Sequence, residues 1–356
     1  MKKTGHSKEK MIRGRNVAGV FLALAVLLLP SCLCAKVTMF PQPWRDNGAN
    51  MREMINDPDG WKEARKGIDA IGCWPWLMEA WHGPEEQKLF FARLKDWGLG
   101  LNFEVPVVKG YDWGADKPPL NGTSAWQFYM EQDKLFRENG LERVDAFSFD
   151  EPVYACLNVI PHQILAEGRA PVSGFDPKDP EKCMDYAFRE TAKFMKLMRQ
   201  RYPEAEFMDI EPYPAMSLER LKKCVDGLQR ECKRLRIKGP DAMRIDVDWS
   251  GMESGDIPGS WTEVRELADY CRQKGMKFSL IYWAADKPPL DGRGIELPLQ
   301  WYSGVLHMLG VTKRMGLEPD EYVVESWIHM PNRFGPETDV TSYTGALKDV
   351  LTVIGK

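Results

Sequence analysis

The feature that most constrains the fold is a regular alternation, after residue 36, of short apolar segments with longer amphipathic ones. The short segments have the length and β-branched or aromatic content of buried strands, and the longer ones repeat apolar residues at helical spacing. Eight alternating pairs are the number found in a closed ring of parallel strands, each followed by a helix. We therefore predict an α/β protein, a single (β/α)8 TIM barrel with long βα loops. The predicted strands are Val37–Pro41, Ile68–Trp74, Leu99–Val108, Val144–Phe149, Glu206–Ile210, Met243–Trp249, Lys277–Trp283 and Tyr322–Trp327.

The helical segments carry start and stop signals. A capping sequence at Ser260 precedes one helix, and Gly275 and Gly316 end two others. No linker-like stretch divides residues 36–356, so we expect one barrel domain. The clearest predicted helices are Glu85–Trp97, Ser124–Asn139, Lys182–Tyr202, Ser217–Ile237, Trp261–Lys274 and Leu297–Met315.

One internal repeat supports this strand count. Residues Trp113–Gly122 recur as Trp283–Gly292 with eight of ten positions identical. The two copies follow the third and seventh predicted strands, which lie four units apart, as a barrel of two related halves requires. Asp116 and Asp286 occupy the same position in the two copies. We expect a structural role in the loop for both.

Residues 1–35 have the pattern of an export signal. A basic segment precedes the uncharged apolar run Val17–Leu29, and small residues follow. Thirteen residues are too few to span a bilayer, which takes about 20. Leu29–Cys32 resembles a bacterial lipobox, so two routes fit: lipidation of Cys32 or cleavage after Ala35. Both predict an exported chain, either a periplasmic or cell-surface lipoprotein or a secreted protein, whose membrane contact is limited to a lipid anchor.

Composition excludes several classes of protein. The 48 Lys and Arg residues against 52 Asp and Glu give a net charge of −4, which disfavours nucleic-acid binding. No glycine-rich phosphate loop, GxSxG motif or zinc-type Cys/His spacing is present, so we predict neither cofactor nor metal. A calcium ion on Asp209, Asp246 and Asp248 is an alternative. We expect the cysteines after residue 35 to be buried free thiols, with a Cys156–Cys183 disulfide as the alternative. The oligomeric state is not indicated.

Aromatic residues follow every predicted strand, and tryptophan follows six of the eight. The functional face of a (β/α)8 barrel lies at the carboxyl ends of its strands. Flat C–H faces of pyranose rings pack on indole, and sugar hydroxyls require polar partners. We therefore predict a carbohydrate substrate. The predicted sugar-binding aromatic residues are Trp44, Trp74, Trp113, Tyr213, Trp249, Tyr282, Trp283 and Trp327.

Carboxylates at the same strand ends suggest the chemistry, because glycoside hydrolysis uses a pair of them. Glu151, within Asp150-Glu151-Pro152, is the predicted acid/base. Glu211 and Asp248 are the candidates for the opposing carboxylate. Alternation along a strand places Asp209 with Glu211, and Asp246 with Asp248, on shared faces. We assign the remaining carboxylates to substrate binding: Asp150, Asp209, Asp246 and Glu325.

The succession FDEP, DIEPYP, IDVDW, IYW and ESW at successive strand ends resembles the (β/α)8 glycoside-hydrolase superfamily, including uncharacterised exported members. The resemblance covers most of residues 37–344. It implies an exported enzyme that hydrolyses O-glycosyl bonds of a poly- or oligosaccharide by carboxylate catalysis. The chain departs from the common plan because no Glu follows the seventh strand. A cell-surface carbohydrate-binding barrel without turnover, a carbohydrate lyase and a metal-assisted hydrolase are the alternatives.

Overall fold

The computed structural model describes residues 35–109, 120–170, 172–284 and 298–356. Eight parallel strands close into a barrel in chain order, with β8 pairing β1. The predicted (β/α)8 barrel is therefore confirmed, with strand ends that differ by a few residues. Residues 36–356 form one compact unit. The strands are β1 Lys36–Phe40, β2 Ala70–Cys73, β3 Gly100–Val105, β4 Ala146–Phe149, β5 Glu206–Tyr213, β6 Ala242–Val247, β7 Lys277–Tyr282 and β8 Glu321–Glu325.

Helices surround the barrel, and their ends largely follow the predicted signals. The Ser260 side chain accepts the Glu263 N–H, whereas Ser217 precedes its helix without a side-chain cap. Gly275 and Gly316 adopt positive φ where two helices end. The helices are α1 Ala49–Asn56, α2 Lys62–Lys66, α3 Pro75–Trp81, α4 Pro84–Trp97, α5 Gly122–Glu138, α6 Pro152–Tyr154, α7 Ile160–Leu165, α8 Pro180–Arg201, α9 Leu218–Arg234, α10 Trp249–Ser254, α11 Trp261–Gln273, α12 Pro298–Arg314 and α13 Tyr343–Ile354. A 3₁₀ turn, Arg45–Asn47, and a π-helical turn, Ala155–Val159, complete the set.

Side chains at alternate strand positions fill the barrel interior. Ala146, Met208 and Ala242 pack together there, which defines the inward face of β4, β5 and β6. Gly72 of β2 leaves room for the Phe40 ring, since a Cβ at Gly72 would lie 2.1 Å from that ring. Large and small residues thus interdigitate across the interior.

A fully buried ion pair crosses the lower part of the interior. Arg244 of β6 lies 2.9 Å from Glu321 of β8 and is 0 % exposed. Thr38 and Ser279 donate hydrogen bonds to the same carboxylate at 2.6 and 2.8 Å. Burial alone would raise the pKa of Glu321, but Arg244, Lys36 and Thr38 hold it at about 2. This carboxylate is therefore an ionised structural group.

Two further predictions concern the described part of the chain. The six cysteines after residue 35 are buried free thiols, so the alternative Cys156–Cys183 disulfide is wrong. None of the described helices is long and apolar enough to cross a membrane. The repeat segments lie largely outside the described residues, as do Asp116 and Asp286.

Candidate active site

A cavity of about 330 Å³ opens at the carboxyl ends of the strands. Its size is at the lower end of the range of about 300–1,000 Å³ for ligand pockets. Among the described residues, five carboxyl groups, one lysine and four indoles line it. They are Glu104, Asp150, Glu151, Asp246, Glu325, Lys109, Trp44, Trp74, Trp76 and Trp327.

Three of these carboxyl groups lie at strand positions whose side chains face the barrel interior. Asp246 lies two residues beyond Arg244 on the inward face of β6, and Glu325 lies four beyond Glu321 on β8. Glu104 occupies the corresponding upper position of β3. The barrel therefore gathers, at one mouth, groups that are separated by up to 221 positions in the chain (104 to 325).

The other two carboxyl groups are neighbours in sequence, and an unusual backbone turn brings both to the cavity. Glu151 adopts φ 45° and ψ 52°, a left-handed conformation that costs free energy for a residue other than glycine. Pro152 follows it and begins α6. Glu211 of β5 accepts the N–H groups of Val153 at 2.7 Å and Tyr154 at 3.0 Å. Glu211 therefore holds the turn that positions Glu151.

Lys109 forms ion pairs with both Asp150 and Glu151. Its Nζ lies 2.7 Å from Asp150 Oδ1 and 3.2 Å from Glu151 Oε2. Burial lowers the pKa of Lys109, but the two carboxylates outweigh burial and hold it above the usual range. Burial raises the pKa of Glu151; Lys109 opposes that shift and Asp150 adds to it. The ammonium group thus favours the ionised form of the adjacent carboxyls.

Burial raises the pKa values of the remaining three carboxyl groups above their ordinary range. Burial and the charge of Asp150 raise the pKa of Glu104 to about 8, although Trp74 opposes the shift. Burial and then Glu151 raise the pKa of Asp246 to about 8. Burial, followed by Glu104 and Asp246, raises the pKa of Glu325 well above its ordinary value. Within the described residues, no lysine or arginine lies within ion-pair distance of Asp246 or Glu325.

Tryptophans form much of the wall. Trp74 donates its indole N–H to Glu104 Oε1 at 2.7 Å, and Trp44 donates to the Trp327 carbonyl at 2.7 Å. The Trp44 and Trp76 ring centres are 6.3 Å apart. Trp44 is 38 % exposed, so its ring is available to a ligand. Indoles with fixed orientations suit the stacking of sugar rings.

The structure brings seven of the predicted site residues to this cavity: Asp150, Glu151, Asp246, Glu325, Trp44, Trp74 and Trp327. Trp113 lies outside the described residues. Asp248, Trp249 and Trp283 are not among the described lining residues, although Asp248 and Trp283 are close enough to Asp246 to affect its pKa. Asp248 accepts the Gly251 N–H at the start of α10, and Trp249 donates to the Trp283 carbonyl. Trp283 packs against Trp327, with ring centres 4.7 Å apart.

Four predicted site residues face the helix layer, which corrects their assignment. On β5 it is Ile210 that lines the cavity, so Asp209, Glu211 and Tyr213 point outward. The Tyr213 hydroxyl donates to Glu263 and accepts the Ser260 N–H. On β7 the cavity residue is Ile281, and Tyr282 stacks on Tyr322. The alternation was predicted, but the face was assigned wrongly.

Sequence reasoning missed Glu104, Lys109 and Trp76 as lining residues. Glu104 is the single charged residue within the apolar stretch Leu99–Val108, and Lys109 follows that stretch directly. A charge inside an otherwise buried strand is costly unless it serves a site or has a partner. That signal was available in the sequence.

In the described part of the chain, no group of three or more His, Cys, Asp or Glu side chains is arranged to hold a metal ion. The calcium alternative needed Asp209 beside Asp246 and Asp248. Asp209 lies instead on the outward face of β5.

Comparisons with known proteins add structural similarity at low identity. No family model matches the chain, and no curated protein does. Among solved structures, isomaltulose synthase from Klebsiella sp. LX3 is 13 % identical, with a TM-score of 0.49 over 91 % of this chain and 71 % of that one. An inactive double mutant of MutB is 13 % identical, with a TM-score of 0.47 over 90 % and 70 %. A GH10 structure from Paenibacillus barcinonensis is 10 % identical, with a TM-score of 0.45 over 88 % and 94 %. At these values the similarity does not extend to function.

Proposed function

We propose that this protein is an exported glycoside hydrolase that cleaves a poly- or oligosaccharide at the mouth of its barrel. One observation carries the proposal. Five carboxyl groups from four strand ends share a cavity with four tryptophans, and they divide into a set paired with Lys109 and a set whose pKa values burial raises. Paired carboxyl groups in different protonation states are what glycoside hydrolysis requires.

The environments of Asp246 and Glu151 suggest their roles. Asp246, with its pKa raised to about 8, holds a proton that it donates to the leaving glycosidic oxygen. Glu151, in contact with Lys109, supplies the carboxylate that attacks the anomeric carbon or activates water. The separation of the two carboxyl groups in the substrate complex decides between retention and inversion. This assignment replaces the predicted partners Glu211 and Asp248, which hold backbone N–H groups.

Aryl glycosides with good and poor leaving groups test these roles. Asp246→Asn removes the proton donor, so we expect a loss of about 10²–10⁴ in kcat/KM for poor leaving groups and a smaller loss for activated ones. Glu151→Gln is expected to lose activity on both. Exposed Asp185, paired with Arg230 on the helix layer, provides the control variant Asp185→Asn.

Equal losses of Asp246→Asn on both classes of leaving group would remove Asp246 from the acid role. Sugar binding without turnover by the wild-type protein on a broad glycoside panel would favour the binding-barrel alternative. Loss of activity with a chelator, restored by a divalent metal, would favour metal-assisted hydrolysis.

The export part of the proposal rests on residues 1–35. Cell fractionation locates the protein, and Cys32→Ala separates the two routes. Lipidation requires Cys32, so that variant would lose its membrane association. Cleavage after Ala35 predicts a soluble mature chain that is unchanged by the substitution.

A further inference from the structure

Glu325 carries a polar atom with no partner. Its side chain lines the cavity, the residue is 3 % exposed, and no described group donates a hydrogen bond to Oε2. A buried acceptor left without a donor destabilises the folded state. Such groups in native structures call for an explanation, and a ligand that supplies the missing donor is one. Glu325 therefore marks a place for a donor group.

The charges around the cavity indicate what kind of donor this is. Among the described lining residues, five are acidic and only Lys109 is basic. Lys109 is already engaged by Asp150 and Glu151. Arg244 lies below the mouth, where it is paired with Glu321. Within the described residues, the Glu325 side of the cavity thus offers acceptors without a cation.

The tryptophans also favour a positively charged ligand. The faces of indole rings are electron-rich and attract cations, with Trp the strongest of the aromatic residues. Trp74, Trp76 and Trp327 line the same cavity as Glu325 and Asp246. A positively charged ligand gains from these faces and from the carboxyl groups, whereas an acidic sugar meets repulsion.

We infer that the substrate is an amino sugar with a free, protonated amine, which lies against Glu325. The inference depends on the proposed function, because it names the substrate class of the same site. The ammonium group supplies the donor that Glu325 Oε2 lacks. Glu325 loses one proton to solvent as the cation enters, so that an ammonium–carboxylate pair replaces a neutral carboxyl group. A sugar whose amine is acetylated, or replaced by a hydroxyl group, provides no such charge.

Three tetramers with one β-1,4 backbone provide a matched set: glucosamine, N-acetylglucosamine and glucose. Binding is measured by calorimetry with the full mature protein, and with Glu151→Gln to prevent cleavage. We expect the glucosamine tetramer to bind at least tenfold more tightly than the other two. At a pH below the pKa of the sugar amine, where the amine already carries its proton, its binding should release protons, seen as a heat that depends on the ionisation enthalpy of the buffer. Added salt should weaken it.

Variants of Glu325 test the contact itself. Glu325→Gln should reduce the preference for glucosamine several-fold and abolish part of the proton release, whereas Glu219→Gln on the exposed face of α9 should change neither. Thermal unfolding of each variant verifies that it is folded. Equal or tighter binding of an uncharged tetramer, or binding of none of the three, overturns the inference.

The inference and the proposed function fail in distinguishable ways. Preferential binding of the glucosamine tetramer without cleavage of any glycoside would contradict the hydrolase and support the cation site. Cleavage of the glucose tetramer with no preference for the amine would contradict the cation site alone.

Discussion

Two glutamates on the same strand have opposite environments. Glu321 and Glu325 lie four residues apart on the inward face of β8, and both are less than 5 % exposed. Glu321 contacts Arg244, Thr38 and Ser279. Burial alone would raise its pKa, but Arg244, Lys36 and Thr38 hold it at about 2. Glu325 has an oxygen with no donor among the described residues, and its pKa is raised.

The difference shows how one barrel interior serves two purposes. A buried carboxylate with a full set of donors stays ionised in the folded protein. A buried carboxyl group with an oxygen that lacks a donor is available for a ligand. Position along the strand separates the two: the lower layer is closed, and the upper layer opens on the cavity.

The largest expected effect comes from removing the cation of the lower layer. Arg244→Met leaves Glu321 buried without its charge partner, so we expect a loss of about 3–5 kcal/mol in the free energy of unfolding. The folded-state pKa of Glu321 is lowered, so its contribution is present above its unfolded pKa and disappears as pH falls through about 2. Chemical denaturation from pH 3 to 7 measures both effects.

The double variant Arg244→Met/Glu321→Gln provides the control, because it removes both charges. We expect it to recover part of the lost stability. A loss below about 1 kcal/mol for Arg244→Met alone would contradict the structural role of the pair.

A smaller effect is expected from the cation of the upper layer. Lys109→Met leaves Asp150 and Glu151 unpaired, but the open cavity admits water, so we expect a loss of about 1–3 kcal/mol. Without Lys109 the pKa of Glu151 rises further. If Glu151 acts as a carboxylate, the acid limb of the pH–activity profile then moves to higher pH. Lys109→Arg keeps the charge, and an unchanged profile in Lys109→Met would separate Lys109 from the chemistry.

The smallest expected effect is a gain in stability, not a loss. Glu325 has a raised pKa in the folded protein, so its contribution to stability is present below the unfolded pKa and is lost as pH rises through the folded pKa. Glu325→Gln should therefore stabilise the protein more at pH 9 than at pH 5. Unfolding curves at the two pH values give the measurement. Glu321→Gln serves as the comparison, because it should destabilise the protein at pH 7. A similar loss of stability in Glu321→Gln and Glu325→Gln would show that the two layers do not differ.

Most of the fold was predictable because it depends on local patterns. The eight strands and the helices around them follow from apolar periodicity, and Ser260, Gly275 and Gly316 mark helix ends as expected. Closure into a barrel followed from the number of alternating units. Strand ends were less predictable because they depend on pairing with neighbouring strands.

The site was predictable only in part, because alternation fixes which residues share a face but not which face points inward. The Asp209–Glu211 pair shows this: its spacing was correct, and the presence of Ile210 in the cavity turned both carboxyl groups outward. Asp246 and Glu325 were placed at the mouth correctly. Lys109 was not predicted because its role depends on contacts with Asp150 and Glu151, which lie some 40 residues away in the chain. Only closure of the barrel creates these contacts.

The turn at Glu151 links the cavity to the outside of the barrel. Glu211, which holds that turn through two backbone N–H groups, is buried next to α9. Burial raises the pKa of the Cys224 thiol on that helix, and the Glu211 carboxyl adds to the shift. A change in the packing of α9 around Cys224 would therefore shift Glu211 and, through it, the orientation of Glu151. Variation in this second layer offers evolution, or an engineer, a way to tune the reactive group without altering a single residue that a substrate touches.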